Sequence, residues 1–263
     1  MQWRASPGKI GDEVLGRLLA PPAELMLDAL PPLMPQARLL EVQAGGGVMA
    51  SALMERLAGL GRLVSIDDDD VLASALPSTP RRAAVAVAAV AALPFTSASF
   101  DVVMANLVLG ADAADDARCL SELRRVLKPG GWLLASVMVR GSFERLLDLV
   151  DDVADDLGLD DVSAAVGVAR LRLPEPVVMQ ERFRQAGLMV AQVGLEERLL
   201  GLYRGAMLLE DLLITDVVLG GVCGVSLPPS SSSALVHAVD GRYPAGLPVV
   251  VHSMVVTGRL ERR

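Results

Sequence analysis

Short apolar segments alternate along the chain with segments in which apolar residues recur at helical spacing. The apolar segments are predicted to be buried strands, because they are bounded by Gly, Pro or acidic residues. The predicted strands cover residues 38–43, 62–66, 83–88, 100–109, 132–139, 188–195 and 248–257. Strands that alternate with helices in this way indicate a mostly parallel sheet joined by crossover helices.

The helical spacing predicts a helix after most of these strands. The predicted helices cover residues 21–30, 48–58, 69–76, 112–127, 142–157 and 175–186, and a further helical, apolar region spans 205–240. We expect the first helix to begin at Pro21-Pro22, because proline is favoured in a first helical turn. The segment 83–92 fits a strand or a helix by periodicity, and its position before another strand favours a strand.

Composition excludes several classes of function. The net charge of −8 and a pI near 4.9 disfavour binding to nucleic acid phosphates. Two distant cysteines, Cys119 and Cys223, indicate neither a zinc site nor a disulfide, and we expect both to be reduced core residues. The longest apolar stretches are too short or too interrupted by acidic residues for a membrane span, so a soluble, cytoplasmic protein is expected.

The stretch "LLEVQAGGGVMASALMERL" at 39–57 is typical of a buried strand, a glycine turn and a helix. Such a turn presents free backbone N–H groups that suit a carboxylate or phosphate. Asp67, about 20 residues beyond the turn, stands where nucleoside-binding folds place an acid that accepts the ribose hydroxyls. The alternative is a tight turn without a ligand, with the acidic run 67–70 acting only as a helix N-cap.

Two later stretches carry a family resemblance. "LPFTSASFDVVMANLVL" at 93–109 and "ARCLSELRRVLKPGGWLLASV" at 117–137 resemble class I S-adenosylmethionine-dependent methyltransferases, nearest the small-molecule branch with quinone-biosynthesis and malonyl-carrier-protein methyltransferases. The resemblance covers residues 20 to 200. It implies a three-layer, Rossmann-like α/β fold with seven strands, mostly parallel with the last antiparallel, and S-adenosylmethionine as cofactor.

The resemblance also implies a domain organisation and a set of cofactor-binding positions. We expect one methyltransferase-like domain, with an N-terminal helical cap, a Rossmann-like core, a helical insert and a last strand at 1–35, 36–200, 201–247 and 248–263. The implied cofactor-binding residues are Glu41, Gln43, Ala44, Gly45, Gly46, Gly47, Asp67, Asp68, Ala89, Val90, Asn106 and Leu107. By resemblance, Glu41 orders the turn and the methionine amino group, and Asp67 binds the ribose.

Two positions depart from the family pattern. Gln43 stands where the family usually has a glycine, although "LEVQAG" is similar to the Leu-Glu-Pro-Ser-Ala-Gly turn of some methyltransferases. Ala89-Val90 stands where an Asp usually contacts the adenine amine, so about 0.5 to 1.5 kcal/mol of binding is missing. These departures leave open a catalytically silent subunit with the same fold. An NAD-dependent oxidoreductase is disfavoured, because the GxGxxG spacing is absent.

Methyl transfer from a sulfonium mainly requires positioning, and a general base only if the acceptor must lose a proton early. The residues considered near the acceptor are Asn106, His237, His252, Tyr203 and Tyr243, and none is assigned as catalytic. We expect Asn106 to cap a strand end and both histidines to be structural or surface residues.

Two further segments have two interpretations each. The acidic helix with Asp151, Asp152, Asp155 and Asp156 is interpreted as a solvated face, with a metal site as the alternative. The apolar segment 205–227 would form a pocket for a small, apolar or carrier-linked acceptor, or a contact for another copy of the chain or a protein partner.

Overall fold

The computed structural model describes residues 12–44, 47–57, 61–68, 83–110 and 112–261, with side chains from residue 16 onward. The predicted helix at 69–76, and Gly45 and Gly46 of the predicted cofactor site, lie outside these residues.

Within the described ranges the strands form a seven-stranded sheet of order β3-β2-β1-β4-β5-β7-β6. The strands are β1 Arg38–Val42, β2 Arg62–Asp67, β3 Ala83–Val87, β4 Phe100–Asn106, β5 Leu127–Met138, β6 Leu188–Tyr203 and β7 Leu247–Leu260. β1 to β5 pair in parallel, whereas β7 runs antiparallel to both β5 and β6. This arrangement confirms the predicted fold class.

Helices cover both faces of the sheet and extend beyond one end of it. They are α1 Asp12–Asp28, α2 Ala50–Arg56, α3 Ala113–Val126, α4 Glu144–Leu157, α5 Asp160–Arg172, α6 Pro176–Gln185, α7 Gly205–Glu210 and α8 Ser232–Arg242, with a π-helix at Leu213–Cys223. The segments Val90–Ala92 and Pro229–Ser231 form single 3₁₀ turns.

Alternation along the strands distributes the core to the two faces, because successive side chains of a strand point to opposite sides. Leu39 and Leu134 pack with residues of α1 and α2 on one face. Leu40 and Leu133 pack with residues of α3 and α6 on the other. A third cluster joins Leu107, at the carboxyl end of β4, to α4, α5 and the helices between β6 and β7. We call the segment from α7 to α8 the roof.

The first predicted helix was wrong at its start. α1 begins at Asp12 and passes through Pro21 and Pro22, which remove two intrahelical hydrogen bonds. Burial of α1 against the sheet outweighs that loss. The carbonyl of Leu19, just before the prolines, accepts a hydrogen bond from Asn106 Nδ2 at 2.9 Å.

Other boundaries also differ from the predictions. β4 ends at Asn106, and α2 spans only seven residues. β6 continues to Tyr203, eight residues beyond the predicted end, because it pairs with β7 along its length. β5 begins at Leu127, so the Lys-Pro-Gly-Gly segment belongs to the strand rather than to a separate turn. α5 was not predicted, because it buries only a few residues of its length.

Candidate functional site

The carboxyl ends of β1, β2 and β4 lie side by side in the sheet. In open α/β sheets, ligands bind outside these ends, where the strand order reverses. This edge brings together four of the predicted site residues, Glu41, Asp67, Asn106 and Leu107. The two glycines of the turn that lie outside the described residues stay predictions.

Glu41 is a buried carboxyl beneath the turn that follows β1. Its Oε2 accepts a hydrogen bond from Ser65 Oγ of β2 at 2.7 Å. Its Oε1 is buried and has no hydrogen-bond partner in the described part of the chain. Burial raises the pKa of Glu41 to about 7, although Ser65 and the backbone N–H of Met49 lower it. Glu41 therefore holds an unused acceptor next to the turn.

Gln43 starts the turn in a left-handed conformation, with φ of 51°. This conformation explains why glycine suits the position, since a side chain there costs about 1 to 2 kcal/mol. The half-buried side chain extends sideways towards the end of β2, where its Nε2 donates to Asp68 Oδ2 at 3.4 Å. Ala44 and Gly47 continue the turn, and Ala44 N–H donates to the carbonyl of Ile66 at 3.0 Å.

Asp67 is the last residue of β2 and its side chain is buried. Its main-chain carbonyl accepts a hydrogen bond from Ala88 N–H at 2.9 Å, which fixes the end of β2 against the segment after β3. The pairing places the predicted ribose acid on the strand next to Glu41. Asp67 and Asp68 thus occupy the same sheet edge as the turn.

A cavity of about 160 Å³ lies next to Gln43, and polar and apolar groups line it in nearly equal measure. Its lining residues are Gln43, Asp68, Ala89, Val90, Ala91, Val108, Asp115, Asp116 and Cys119. Since a water molecule takes about 30 Å³, the volume corresponds to roughly five waters, which is the scale of one ring system. Four predicted residues, Gln43, Asp68, Ala89 and Val90, meet at this cavity.

Sequence reasoning missed the wall that α3 contributes to this cavity, namely Asp115, Asp116 and Cys119. The backbone N–H of Gly110 donates to Asp116 Oδ1 at 2.9 Å, and Arg182 of α6 also pairs with this carboxylate. Burial raises the pKa of Asp116, and burial together with Asp116 raises the pKa of the Cys119 thiol. Cys119 is therefore a neutral wall residue, and the "DAADD" helix start was the available sequence signal.

Asn106 is the last residue of β4, and its side-chain amide is hydrogen-bonded within the fold. Its Nδ2 donates to the Leu19 carbonyl, and its Oδ1 accepts from Ser136 Oγ at 2.6 Å. The next residue, Leu107, is buried and left-handed, with φ of 52°. Asn106 thus ties α1 to the strand end, in line with the predicted strand-end cap.

The residues considered near the acceptor lie in the roof or against it, where they have structural contacts. The Tyr203 hydroxyl donates to Asp211 Oδ2 at 2.8 Å, and Arg17 of α1 pairs with both groups. Burial and the contact with Asp211 raise the pKa of Tyr203 to about 12, so it does not supply a base near neutral pH. Tyr243 packs half-buried against the roof cluster.

The two histidines lie apart from the strand ends described above. His237 is exposed on α8, where its Nδ1 lies 2.6 Å from the carbonyl of Ser233. His252 lies within β7, and its Nε2 is 3.2 Å from Glu197 Oε2 on β6. Each histidine ring therefore has a contact within the fold, to Ser233 for His237 and to Glu197 for His252.

The acidic side of α4 forms ion pairs. Arg170 of α5 pairs with Asp151 at 2.9 Å, and Arg242 of α8 pairs with Asp152. Ser163 Oγ donates to Asp155 Oδ1 at 2.9 Å. Across the described ranges, no group of three or more His, Cys, Asp or Glu side chains is placed to hold a metal ion.

Comparison with known proteins shows what this edge of the sheet is similar to. Residues 40–135, from β1 to β5, match the family model described as "Methyltransferase domain". This segment is similar to a methyltransferase domain. The match contains the turn, Asp67, the 160 Å³ cavity and the Lys-Pro-Gly-Gly segment. No curated protein sequence matches the chain.

Solved structures with the methyltransferase fold resemble the whole chain. A candidate methyltransferase from Bacillus halodurans has a TM-score of 0.60 at 16% identity, with 92% of this chain and 99% of that chain covered. The geranyl diphosphate C-methyltransferase of Streptomyces coelicolor, solved with Mg²⁺, geranyl diphosphate and S-adenosyl-L-homocysteine, has a TM-score of 0.53 at 13% identity, covering 97% and 88%.

A third structure of this fold is the [4+2]-cyclase SpnF, with a TM-score of 0.52 at 16% identity and coverage of 92% and 81%. At these identities the likeness concerns the fold alone, and the same fold hosts more than one reaction. In the residues that the structure describes, no helix is long and apolar enough to cross a membrane.

Proposed function

We propose that the protein transfers a methyl group from S-adenosylmethionine to a small, apolar or carrier-linked acceptor. The observation that carries the proposal is the meeting of the turn, Asp67 and the 160 Å³ cavity at one edge of the segment that matches the methyltransferase model. The proposed unit is one methyltransferase-like domain, with residues 1–35 as a cap and 201–247 as an insert over the acceptor.

The residues at this edge fit the cofactor. The orphaned Glu41 Oε1 is an acceptor beneath the turn, suited to the methionine amino group through a water or directly. Asp67 would accept the ribose hydroxyls, and the wall Ala89 to Ala91 offers an apolar surface to the purine. When bound, the sulfonium supplies an already activated methyl group, so the chain's own residues mainly bind, orient and exclude water.

Gln43 would offer a hydrogen-bonding partner to the adenine ring of the cofactor. This contact would replace the one that an Asp usually makes at the position of Ala89. Gln43 lines the same cavity as Ala89 and Val90. A Gln amide offers one donor and one acceptor side by side, the pattern that pairs with the N7 and N6 groups of adenine. The long Gln43–Asp68 contact of 3.4 Å is weak, so the amide can turn from Asp68 to a base.

The apolar acceptor is supported by a cavity of about 610 Å³ in the roof. It is lined by polar and apolar side chains, the larger apolar ones being Leu209, Leu219, Val225, Leu227 and Pro229. An acceptor held there would be selected by its apolar body. No base is assigned to it, since Tyr203 is engaged with Arg17 and Asp211.

The test compares S-adenosylhomocysteine with S-inosylhomocysteine, which carries an oxygen in place of the adenine amine. We expect the unchanged protein to prefer the adenine compound about tenfold, since one hydrogen bond contributes roughly 0.5–1.5 kcal/mol. Gln43→Gly keeps the left-handed backbone without strain and should lose this preference. Asp67→Ala should weaken both ligands about 100-fold, because charge-assisted bonds to the ribose are lost.

The outcomes separate the parts of the proposal. If Gln43→Gly binds each of the two ligands with the same affinity as the unchanged protein does, the proposed role of Gln43 is refuted. The other parts of the proposal are not affected by that result. An unchanged affinity in Asp67→Ala would refute the placement of the ribose. Absence of binding in the unchanged protein would refute cofactor use.

A further inference from the structure

Among the described strands, β6 carries the most exposed large apolar side chains. β6 is the terminal strand of the sheet, and within the described residues its strand neighbour is β7 alone. Leu195, Leu199 and Leu202 are 64%, 50% and 54% exposed. Natural edge strands are usually short or protected by charges, because their free N–H and C=O groups pair with other chains. β6 is 16 residues long.

The roof exposes fewer large apolar side chains than β6, namely Met207 and Leu212 at 55% and 42%. Its side chains at Leu208, Leu213 and Ile214 are buried in the cluster beneath. The segment 205–227, predicted from sequence as a contact for partners, therefore uses most of its apolar residues inside the chain. The exposed leucines lie just before it, on β6.

The pattern of β6 around Glu197 is nearly palindromic. It reads Leu195, Glu196, Glu197, Arg198 and Leu199. When two copies of a strand pair antiparallel about a two-fold axis through one residue, residues equally far before and after it lie opposite each other and on the same face. With the axis at Glu197, Leu195 meets Leu199 of the second copy, and Glu196 meets Arg198.

We propose that a second copy of this chain pairs with β6 in this register, so that the two sheets join into one continuous sheet across a two-fold axis at Glu197. The apolar pairs Leu195 to Leu199 occur twice, once on each side of the axis. Cross-strand apolar pairs and opposite charges are the interactions that stabilise such pairing. The proposal is independent of the methyl transfer proposed above.

The charges that flank the axis are complementary, whereas the two Glu197 carboxylates on the axis repel each other. Arg198 Nη2 already donates to Glu196 Oε1 at 2.8 Å within one chain. The second oxygen of Glu196, Oε2, is buried without a hydrogen-bond partner in the part of the chain that the structure describes. In the dimer, each Glu196 lies next to two guanidinium groups. The two Glu197 carboxylates would face each other, but each contacts His252 Nε2 of its own β7 at 3.2 Å, away from the axis.

The first test measures the mass of the full chain in solution by light scattering over a range of concentrations. We expect a dimer for the unchanged protein and a monomer for Leu199→Lys, because two lysines would enter the apolar pairs. Leu199 is half exposed in the single chain, so the variant keeps its fold and its circular dichroism. The matched control is Leu171→Lys on α5, where Leu171 is 71% exposed, and it should remain a dimer.

The second test fixes the register. Glu197→Cys should form a disulfide between copies under mild oxidation, because residues on the axis lie 4.5–5.5 Å apart at Cβ. Gln192→Cys should not, since its copy lies about 34 Å away at 3.4 Å per residue. A monomer at all concentrations, or a dimer in Leu199→Lys, would overturn the interface. A Leu199-dependent dimer without the Glu197→Cys disulfide would overturn the register.

Discussion

The two ends of the parallel strands differ in how completely their polar groups are paired. At the amino end, Lys128 Nζ donates to both carboxylate oxygens of Asp101 at 2.8–2.9 Å, and Arg38 N–H donates to the same carboxylate at 2.9 Å. At the carboxyl end, Glu41 Oε1 has no partner among the described residues and Gln43 makes only a 3.4 Å contact. The paired end builds the sheet, whereas the under-paired end is suited to a ligand.

This difference separates the sequence motif that identifies the fold from the residues that would do the chemistry. The Lys-Pro-Gly-Gly segment begins β5 at the amino end, far along the strand from the turn. A Cβ on Gly131 would lie 2.9 Å from the carbonyl of Lys128 and 3.0 Å from that of Asp101. Glycine is therefore required at position 131, because two backbone carbonyls lie too close for a Cβ. We interpret the Lys-Pro-Gly-Gly motif as structural.

The largest expected effect on stability is at the carboxyl end, in Glu41→Gln. The pKa of Glu41 is about 7 in the folded chain against an ordinary 4.5, so the folded state binds more protons than the unfolded state between these pH values. Stability therefore falls as pH rises from 4.5 to 7 and is lowest above 7. Removing the charge should stabilise the fold by up to about 3 kcal/mol above pH 7.

Urea unfolding at pH 4.5 and pH 8 measures this effect. The unchanged protein should lose stability between the two values, and Glu41→Gln should lose much less of it. Equal loss in both proteins would show that the buried carboxyl is not the group responsible.

At the amino end of the strands, we expect stability to depend on the volume of a side chain rather than on pH. Gly131→Ala places a methyl group against two backbone carbonyls and should destabilise the chain by about 1–3 kcal/mol at every pH. The matched control is Gly167→Ala on α5, whose added Cβ meets no atom within 4 Å and should stabilise by about 1 kcal/mol. Thermal unfolding of the two variants checks the pair, and a neutral Gly131→Ala would contradict the close-approach argument.

The smallest effect is expected for the ion pair at the amino end. Asp101→Asn removes the charge facing Lys128, and both side chains are more than one-third exposed. Such pairs contribute about 0–1 kcal/mol and are weakened by salt. The difference in unfolding free energy from the unchanged protein should shrink in 1 M NaCl, whereas a large, salt-independent loss would show that Asp101 matters through Arg38 N–H.

The sequence allowed the seven strands and the antiparallel last strand to be predicted, because buried strands and the family resemblance both follow from local patterns, whereas the order of the strands was not predicted. It misplaced α1, since Pro21 and Pro22 are locally typical of a helix start and only tertiary packing places them inside a helix. The length of β6 depends on pairing with β7, which periodicity within residues 188–195 does not contain.

The spacing of motifs along the sequence predicted which strand ends would meet at the candidate site. It did not predict which contacts the side chains make there. Gln43 was identified as a departure from the family's glycine, and its contact with Asp68 depends on the distance between β1 and β2. The wall formed by Asp116 and Cys119 depends on how α3 packs after β4, which no motif records. Asn106 has a structural partner, Leu19, that is 87 residues away.

Calorimetric titration of the unchanged 263-residue chain with S-adenosylhomocysteine near pH 7.5 tests the central claim most directly, namely that the under-paired end of the sheet is a cofactor site. We expect a saturable heat for one site per chain and a rise in the unfolding temperature, both strongly reduced in Asp67→Ala. No heat and no thermal shift at millimolar ligand would contradict it.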